Sequence, residues 1–388
     1  MSYKWSLNES QFTLWDKLRI AKFILFDDQW TQNKYVKEIE NKMADYVGCR
    51  YSVYVSSGST ANTLLAMYLR DNTSSTKKYI IFPSTTWVTS VSPFIREGFE
   101  PIFVDVSLKD FAIDISKLED VLKTKEGQIA CIFVTSLLGF VPNIDALRSL
   151  QKRYSVQVML DNCENTFGKW EGENVSSYFT STTSSYFGHQ IQSVEGGFIF
   201  TNKEKEYHYF LMARNHGMTR LLPEEIKKHY QNPSVDARFD FSVLGNNFRN
   251  SDIHAFIGLQ DIKRIEEYHK TRVGLYDLFR RKMSKNQLVL PKNDELREHS
   301  PFCLPIILRE QDKGKIANLK SVCYLLGIET RPVISGNLLR HTCFQKYGDY
   351  RKFPVSEHLN DFGFYVGLHN KVTPTQISQL AHSLNSLL

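Results

Sequence analysis

The chain has 388 residues, 42% apolar and 23% charged, with 48 Lys and Arg against 42 Asp and Glu for a formal net charge of +6. That composition supplies a sizeable core and excludes a disordered chain. The positive charge is scattered, with only short groups such as Lys152-Arg153 and Arg280-Arg281-Lys282, so it predicts a solvated surface and no nucleic-acid face.

The six cysteines (Cys49, Cys131, Cys163, Cys303, Cys323 and Cys343) include no CxxC pair. This excludes the usual ligand runs for structural zinc and for iron–sulfur clusters, and no other metal site is expected. The thiols read as reduced, in a cytoplasmic protein. The opening MSYKWSLNESQF lacks an apolar signal segment, and no stretch approaches the roughly 20 apolar residues of a membrane span.

In chain order, Tyr51–Val55 reads as a short strand, and SSGSTANTLLAMYL from Ser56 as a turn opening a helix. Tyr79–Phe82, Pro101–Val106, Ile129–Val134 and Val156–Leu160 read as further strands, each followed by polar or turn residues. Short apolar strands separated by helical patterns predict a mostly parallel sheet with helices on both faces. Ligands of such sheets sit at the carboxyl ends of the strands. From Ser251 to about Lys285 the pattern is a long helix pair rich in Lys, Arg and Glu. A smaller α+β unit follows, with strands expected at Phe302–Leu308 and Ile328–Pro332. The expected division is a large domain over 1–250 and a small C-terminal domain over 251–388.

Three segments carry chemistry. Ser56-Ser57-Gly58-Ser59-Thr60 follows a strand and opens a helix, where backbone N–H groups, hydroxyls and the helix dipole together make a phosphate cradle. A plain N-cap is the other reading. Asp161-Asn162-Cys163-Glu164 ends a strand, so its first acid lies where ligands bind and suits a heteroaromatic nitrogen that must stay protonated. A helix N-cap is again the alternative. Ser184-Ser185-Tyr186-Phe187-Gly188-His189 precedes Glu195-Gly196-Gly197, with hydroxyls that suit the far side of a phosphate. A lone histidine such as His189 can also be structural.

Taken together, in this order, these segments resemble the fold-type I pyridoxal-phosphate sugar aminotransferase and dehydratase family. The match extends to Trp87 in PSTTWVTS, Asn215-His216-Gly217 and Gly245-Asn246-Asn247-Phe248-Arg249. Near the end it includes Glu329-Thr330-Arg331-Pro332 with Gly336-Asn337, and Gly367-Leu368-His369-Asn370. The resemblance implies an aspartate-aminotransferase-like α/β large domain with a mostly parallel seven-stranded sheet, plus a smaller C-terminal α+β domain. It implies pyridoxal 5′-phosphate or pyridoxamine 5′-phosphate as cofactor. Gly58, Ser59, Thr60 and Ser184 would bind its phosphate, and Asp161 its pyridine nitrogen. Glu164 would lie near the ring's 3-hydroxyl, and Trp87 would stack on the ring. Asn247 would reach the partner subunit's phosphate in a homodimer with shared sites. His216, Arg220 and Arg331 would contact the substrate or glutamate.

The informative departure is His189, in GHQIQSVEGG, where aminotransferases of this family carry the cofactor lysine. An imidazole moves protons near neutral pH but cannot tether the cofactor covalently. Two branches of the family share this histidine. One contains lysine-free 3-dehydratases of GDP-4-keto-6-deoxy sugars that use glutamate. The other contains reductase-coupled dehydrases with an iron–sulfur cluster, which the missing cysteine run disfavours. The expectation is a noncovalent cofactor, glutamate as amino donor, and C3 deoxygenation of a nucleotide-linked 4-keto-6-deoxy sugar. The rivals are a reductase-coupled dehydrase, another elimination on a hexose or heptose, and a cofactor-binding regulator. Trp30-Thr31-Gln32-Asn33 lacks the glycine of the family's corresponding loop, so sugar specificity does not carry over.

Overall fold

The computed structural model describes residues 3–283 and 286–388. Seven strands form one sheet: β1 (Tyr51–Val55), β2 (Tyr79–Pro83), β3 (Glu100–Val104), β4 (Ile129–Thr135), β5 (Gln157–Asp161), β6 (Thr180–Ser184) and β7 (Gly197–Thr201). Their spatial order is β1-β7-β6-β5-β4-β2-β3. All run parallel except β7, which is antiparallel to both neighbours. The strongest apolar runs take the centre, where both faces are covered. All seven residues of β4 are buried.

The helices expected between strands cover both faces. On one side α3 (Gly58–Asn72) and the later helix Glu204–Ala213 pack in a cluster with Val53, Phe82, Phe133 and Ile199. On the other, Ile115–Thr124 and Ile144–Tyr154 pack against Ile81, Ile132 and Val158. The predicted strands agree with the observed ones to within two residues at each end. The strands Thr180–Ser184 and Gly197–Thr201 have no counterpart in the apolar-run reading.

The expected helix pair is Asp252–Ile262 and Ile265–Lys282; its expected end at Lys285 lies outside the described residues. A three-stranded antiparallel sheet follows, with β8 (Cys303–Ile307) and β9 (Thr330–Pro332) flanking β10 (Gly363–Gly367). One core joins this unit to the large sheet's loops, with Leu138 and Phe140 packed among Tyr276, Phe279, Leu304 and Phe364. Asp105 reinforces the junction. Its carboxylate accepts from the backbone N–H groups of Val355 (3.1 Å) and Ser356 (2.9 Å), capping the helix Pro354–Phe362. These contacts fix both units around one cavity. Among the described residues, no helix is long and apolar enough to cross a membrane.

Candidate active site

A cavity of about 570 Å³ opens at the carboxyl ends of the central strands. Thr135, Asp161 and Ser184, the last residues of β4, β5 and β6, all line it. Of the residues expected from sequence, Gly58, Ser59, Trp87, Asp161, Glu164, Ser184, His189 and Arg331 meet there.

Asp161 lies at the floor, 3% exposed. Its Oδ2 accepts from Asn62 Nδ2 (2.9 Å) and Ser90 Oγ (2.6 Å), and its Oδ1 from the Cys163 backbone N–H (3.0 Å). Asn62 is aimed in turn by Thr182, whose hydroxyl donates to Asn62 Oδ1 (2.7 Å). A carboxylate so clamped has one fixed orientation, which a pyridinium partner needs.

The phosphate turn is formed by the start of α3. Ser57 is the N-cap, paired with Thr60 in a reciprocal capping box. This bears on Thr60, expected as a phosphate ligand. It is not among the cavity's lining residues, and its hydroxyl donates to the Ser57 carbonyl (2.9 Å) while accepting from the Ser57 N–H (3.0 Å). The helix start needs that hydroxyl to satisfy its free backbone groups. At Gly58 a Cβ would stand 2.8 Å from Cys163 Sγ and 3.1 Å from Ser184 Cβ. Only a residue without a side chain leaves the cradle open there. Gly197 has the same role from β7, since a Cβ would meet Gly58 N at 2.5 Å.

Trp87 is 54% exposed, though it borders a cavity inside the protein. Such an apolar ring, open on one side, offers a stacking face to a flat ligand. Glu164 Oε2 accepts from the Leu138 N–H (2.7 Å), in a turn where Leu138 has φ 56°. Burial pushes its carboxyl up to about 8, with Asp161 adding to the rise, so it is protonated at neutral pH.

His189 sits in the loop 185–196 between β6 and β7. Gln190 anchors that loop twice. Its Oε1 accepts from the Thr166 N–H (2.8 Å), and its Nε2 donates to the Ser300 carbonyl (2.7 Å). The imidazole packs against Tyr186 and Phe302, and its Nδ1 is shielded with no hydrogen-bond partner. Burial holds it down to about 4, and Arg272 contributes in the same sense. It is therefore a neutral imidazole at neutral pH.

Three expected residues lie elsewhere. Asn247, His216 and Arg220 are exposed on segments joined by the Asn215–Asn247 bridge and do not line the cavity. Asn62, Ser90, Arg272, Phe302 and Tyr365 do belong to the site and carried no signal in the motif reading. Only Asn62 had one available: it lies one helical turn after Gly58, on the same face of α3.

The buried titratable groups predict a pH optimum of stability. Burial lowers His189, His269 and His299 each to about 4, and raises Glu164 to about 8 and Asp261 to about 6. Between pH 4.5 and 6 the unfolded chain holds more protons on the three histidines, and the folded chain more on the two carboxyls. The histidine difference is the larger, and His208, His254 and His369, also lowered by burial, add to it, so stability rises with pH over this range. Above about pH 7 the unfolded chain's histidines lose their protons and Glu164 dominates, so stability falls towards pH 8. Urea midpoints should therefore peak at about pH 7. A midpoint still rising at pH 8 would show that Glu164 is not held protonated.

The site's residues fit a pyridoxal phosphate: a side-chain-free cradle at a helix start, a clamped buried carboxylate and an open aromatic face. Comparisons with known proteins agree. The model of the DegT/DnrJ/EryC1/StrS aminotransferase family matches residues 16–385. A GDP-4-keto-6-deoxy-D-mannose 3-dehydratase of Yersinia pseudotuberculosis is 30% identical over 95% of this chain and 96% of its own length. The structure of the E. coli GDP-4-keto-6-deoxy-D-mannose-3-dehydratase with bound hydrated PLP superposes with a TM-score of 0.88 at 28% identity, covering 99% of this chain and 100% of that one. A structure of GDP-4-keto-6-deoxymannose-3-dehydratase with a trapped PLP-glutamate geminal diamine gives 0.87 at 28% identity, over 98% and 100%. With a family model spanning nearly its whole length, the chain belongs to the DegT/DnrJ/EryC1/StrS aminotransferase family.

Proposed function

We propose that this protein is a pyridoxal-phosphate- and glutamate-dependent 3-dehydratase of a nucleotide-linked 4-keto-6-deoxy sugar, GDP-linked as in the relatives named above. In this reading His189 is the acid/base in place of the family's lysine. The observation that carries it is the neutral imidazole of His189 lining the same cavity as Asp161 and the Gly58 turn. No lysine lines that cavity among the described residues.

When bound, the cofactor supplies an electron sink and carries the amino group taken from glutamate. The residues of this chain do the rest. Gly58, Ser59 and Ser184 would hold the phosphate at the positive end of α3. Asp161, clamped by Asn62 and Ser90, would keep the pyridine nitrogen protonated. Trp87 would stack on the ring. Glu164, a neutral acid at pH 7, would donate towards the ring's 3-oxygen. His189 would accept a proton from the cofactor's C4′ carbon and return it to the C3 hydroxyl as that group leaves as water. Free hydroxide is a poor leaving group, so this second transfer matters as much as the first.

A homodimer would account for the residues outside the cavity. Asn247, His216 and Arg220 lie near exposed Phe239, Phe241 and Leu244, and helix Leu14–Phe26 exposes Leu14, Trp15, Leu25 and Phe26. That much exposed apolar surface suits burial against a second copy.

The test is incubation with glutamate and a panel of GDP-, dTDP- and CDP-linked 4-keto-6-deoxy sugars, with products read by mass spectrometry. The expected product has lost one oxygen, with one 2-oxoglutarate and one ammonia formed per turnover. A sugar that keeps the amine would mean an aminotransferase and overturn the reading.

A further inference from the structure

Arg272 projects from the helix Ile265–Lys282 into the cavity and is 2% exposed. One terminal nitrogen donates to two backbone carbonyls, those of Phe302 (2.8 Å) and Leu368. Its Nε is shielded and has no acceptor. No salt bridge among the described residues includes it. The carboxylate that influences it, Asp261, accepts from the Gln192 N–H (2.9 Å) and lies 3.9 Å from Arg264. Burial lowers the guanidinium only to about 10, so it is a cation at neutral pH.

A buried cation without a directly paired carboxylate is costly, and carbonyl dipoles offset only part of that cost. A carboxylate is the natural complement of a guanidinium. Its location is specific, because Phe302, whose carbonyl anchors Arg272, also packs its ring 5.5 Å from that of His189. A second cation, Arg331, lines the same cavity beside the Tyr365 hydroxyl, also without a salt bridge among the described residues.

We infer that Arg272 binds a carboxylate of the amino donor, a dicarboxylic amino acid held between Arg272 and Arg331. This rests on the dehydratase reading above and names the donor's anchor within it.

The test uses calorimetric titration of the cofactor-loaded protein with glutarate, which has both carboxylates and no amine, and with glutaramide, its uncharged counterpart. Wild type should prefer glutarate. Arg272→Gln should weaken glutarate binding by about 10–100-fold and leave glutaramide unchanged. Should Arg272→Gln fail to fold, Arg331→Gln decides: it should keep part of the preference, through Arg272. No preference in wild type, an unchanged glutarate affinity in Arg272→Gln, or complete loss of preference in Arg331→Gln each overturns the inference. Absorbance of bound cofactor and product analysis are recorded alongside. A protein that dehydrates its sugar but ignores Arg272→Gln refutes the carboxylate anchor alone. A wild type that never binds the cofactor refutes the dehydratase reading.

Discussion

Asp161→Asn should cut turnover by about 10²–10³-fold and weaken cofactor binding by about 10–100-fold. The substitution keeps the volume and can still accept from Asn62 or Ser90, so the fold should survive. What it removes is the negative charge that the proposed function sets opposite the pyridine nitrogen. A neutral amide cannot hold that nitrogen protonated, so the ring stops drawing electrons. The binding effect should be large in this chain because no covalent tether compensates for a lost contact. Equilibrium dialysis and steady-state kinetics with glutamate and the sugar check the two halves separately. Full activity in Asp161→Asn would end the electron-sink assignment.

His189→Lys should convert a loosely held cofactor into a covalently held one while abolishing dehydration. An amine at this position inherits the burial that lowers His189. Burial disfavours the charged ammonium, so the amine is neutral and nucleophilic. Borohydride reduction followed by denaturation should leave the cofactor on the variant, detected by intact-protein mass spectrometry. Wild type should release it. Turnover to the deoxygenated sugar should drop by about 10²–10⁴-fold. His189→Asn separates the two effects: it should lose turnover without retaining cofactor. If His189→Asn dehydrates normally, the imidazole is not the proton carrier.

The strands and the motif turns were readable because each is contiguous. An apolar run ending in Asp161 already says that an acid stands at a strand's carboxyl end. A Gly between serines at a helix start already says that backbone N–H groups point outwards there. β6 was hidden because its sequence, Thr-Ser-Thr-Thr-Ser, contains no apolar run, yet all five residues are buried. It lies in the interior because distant groups satisfy its hydroxyls: Glu206 accepts from Thr180, Asn62 from Thr182, and Thr166 pairs with Thr183. The clamp on Asp161 was hidden for the same reason. Asn62 and Ser90 stand 99 and 71 residues away in the chain. Arg272 reads in sequence as one more charge on a basic helix, although it is buried in the cavity wall.

What the sequence determined by itself is chemical identity in local order: a turn suited to a phosphate, an acid at a strand end, and an imidazole where the resemblance places the lysine of the family's aminotransferases. Side-chain chemistry needs no neighbours to be known. The tertiary structure decided which expected residues share one cavity, that Thr60 serves the helix cap, and that Asn247, His216 and Arg220 lie outside. It also decided the protonation of His189 and Glu164. Burial and proximity set those properties, and both arise only when distant segments pack together.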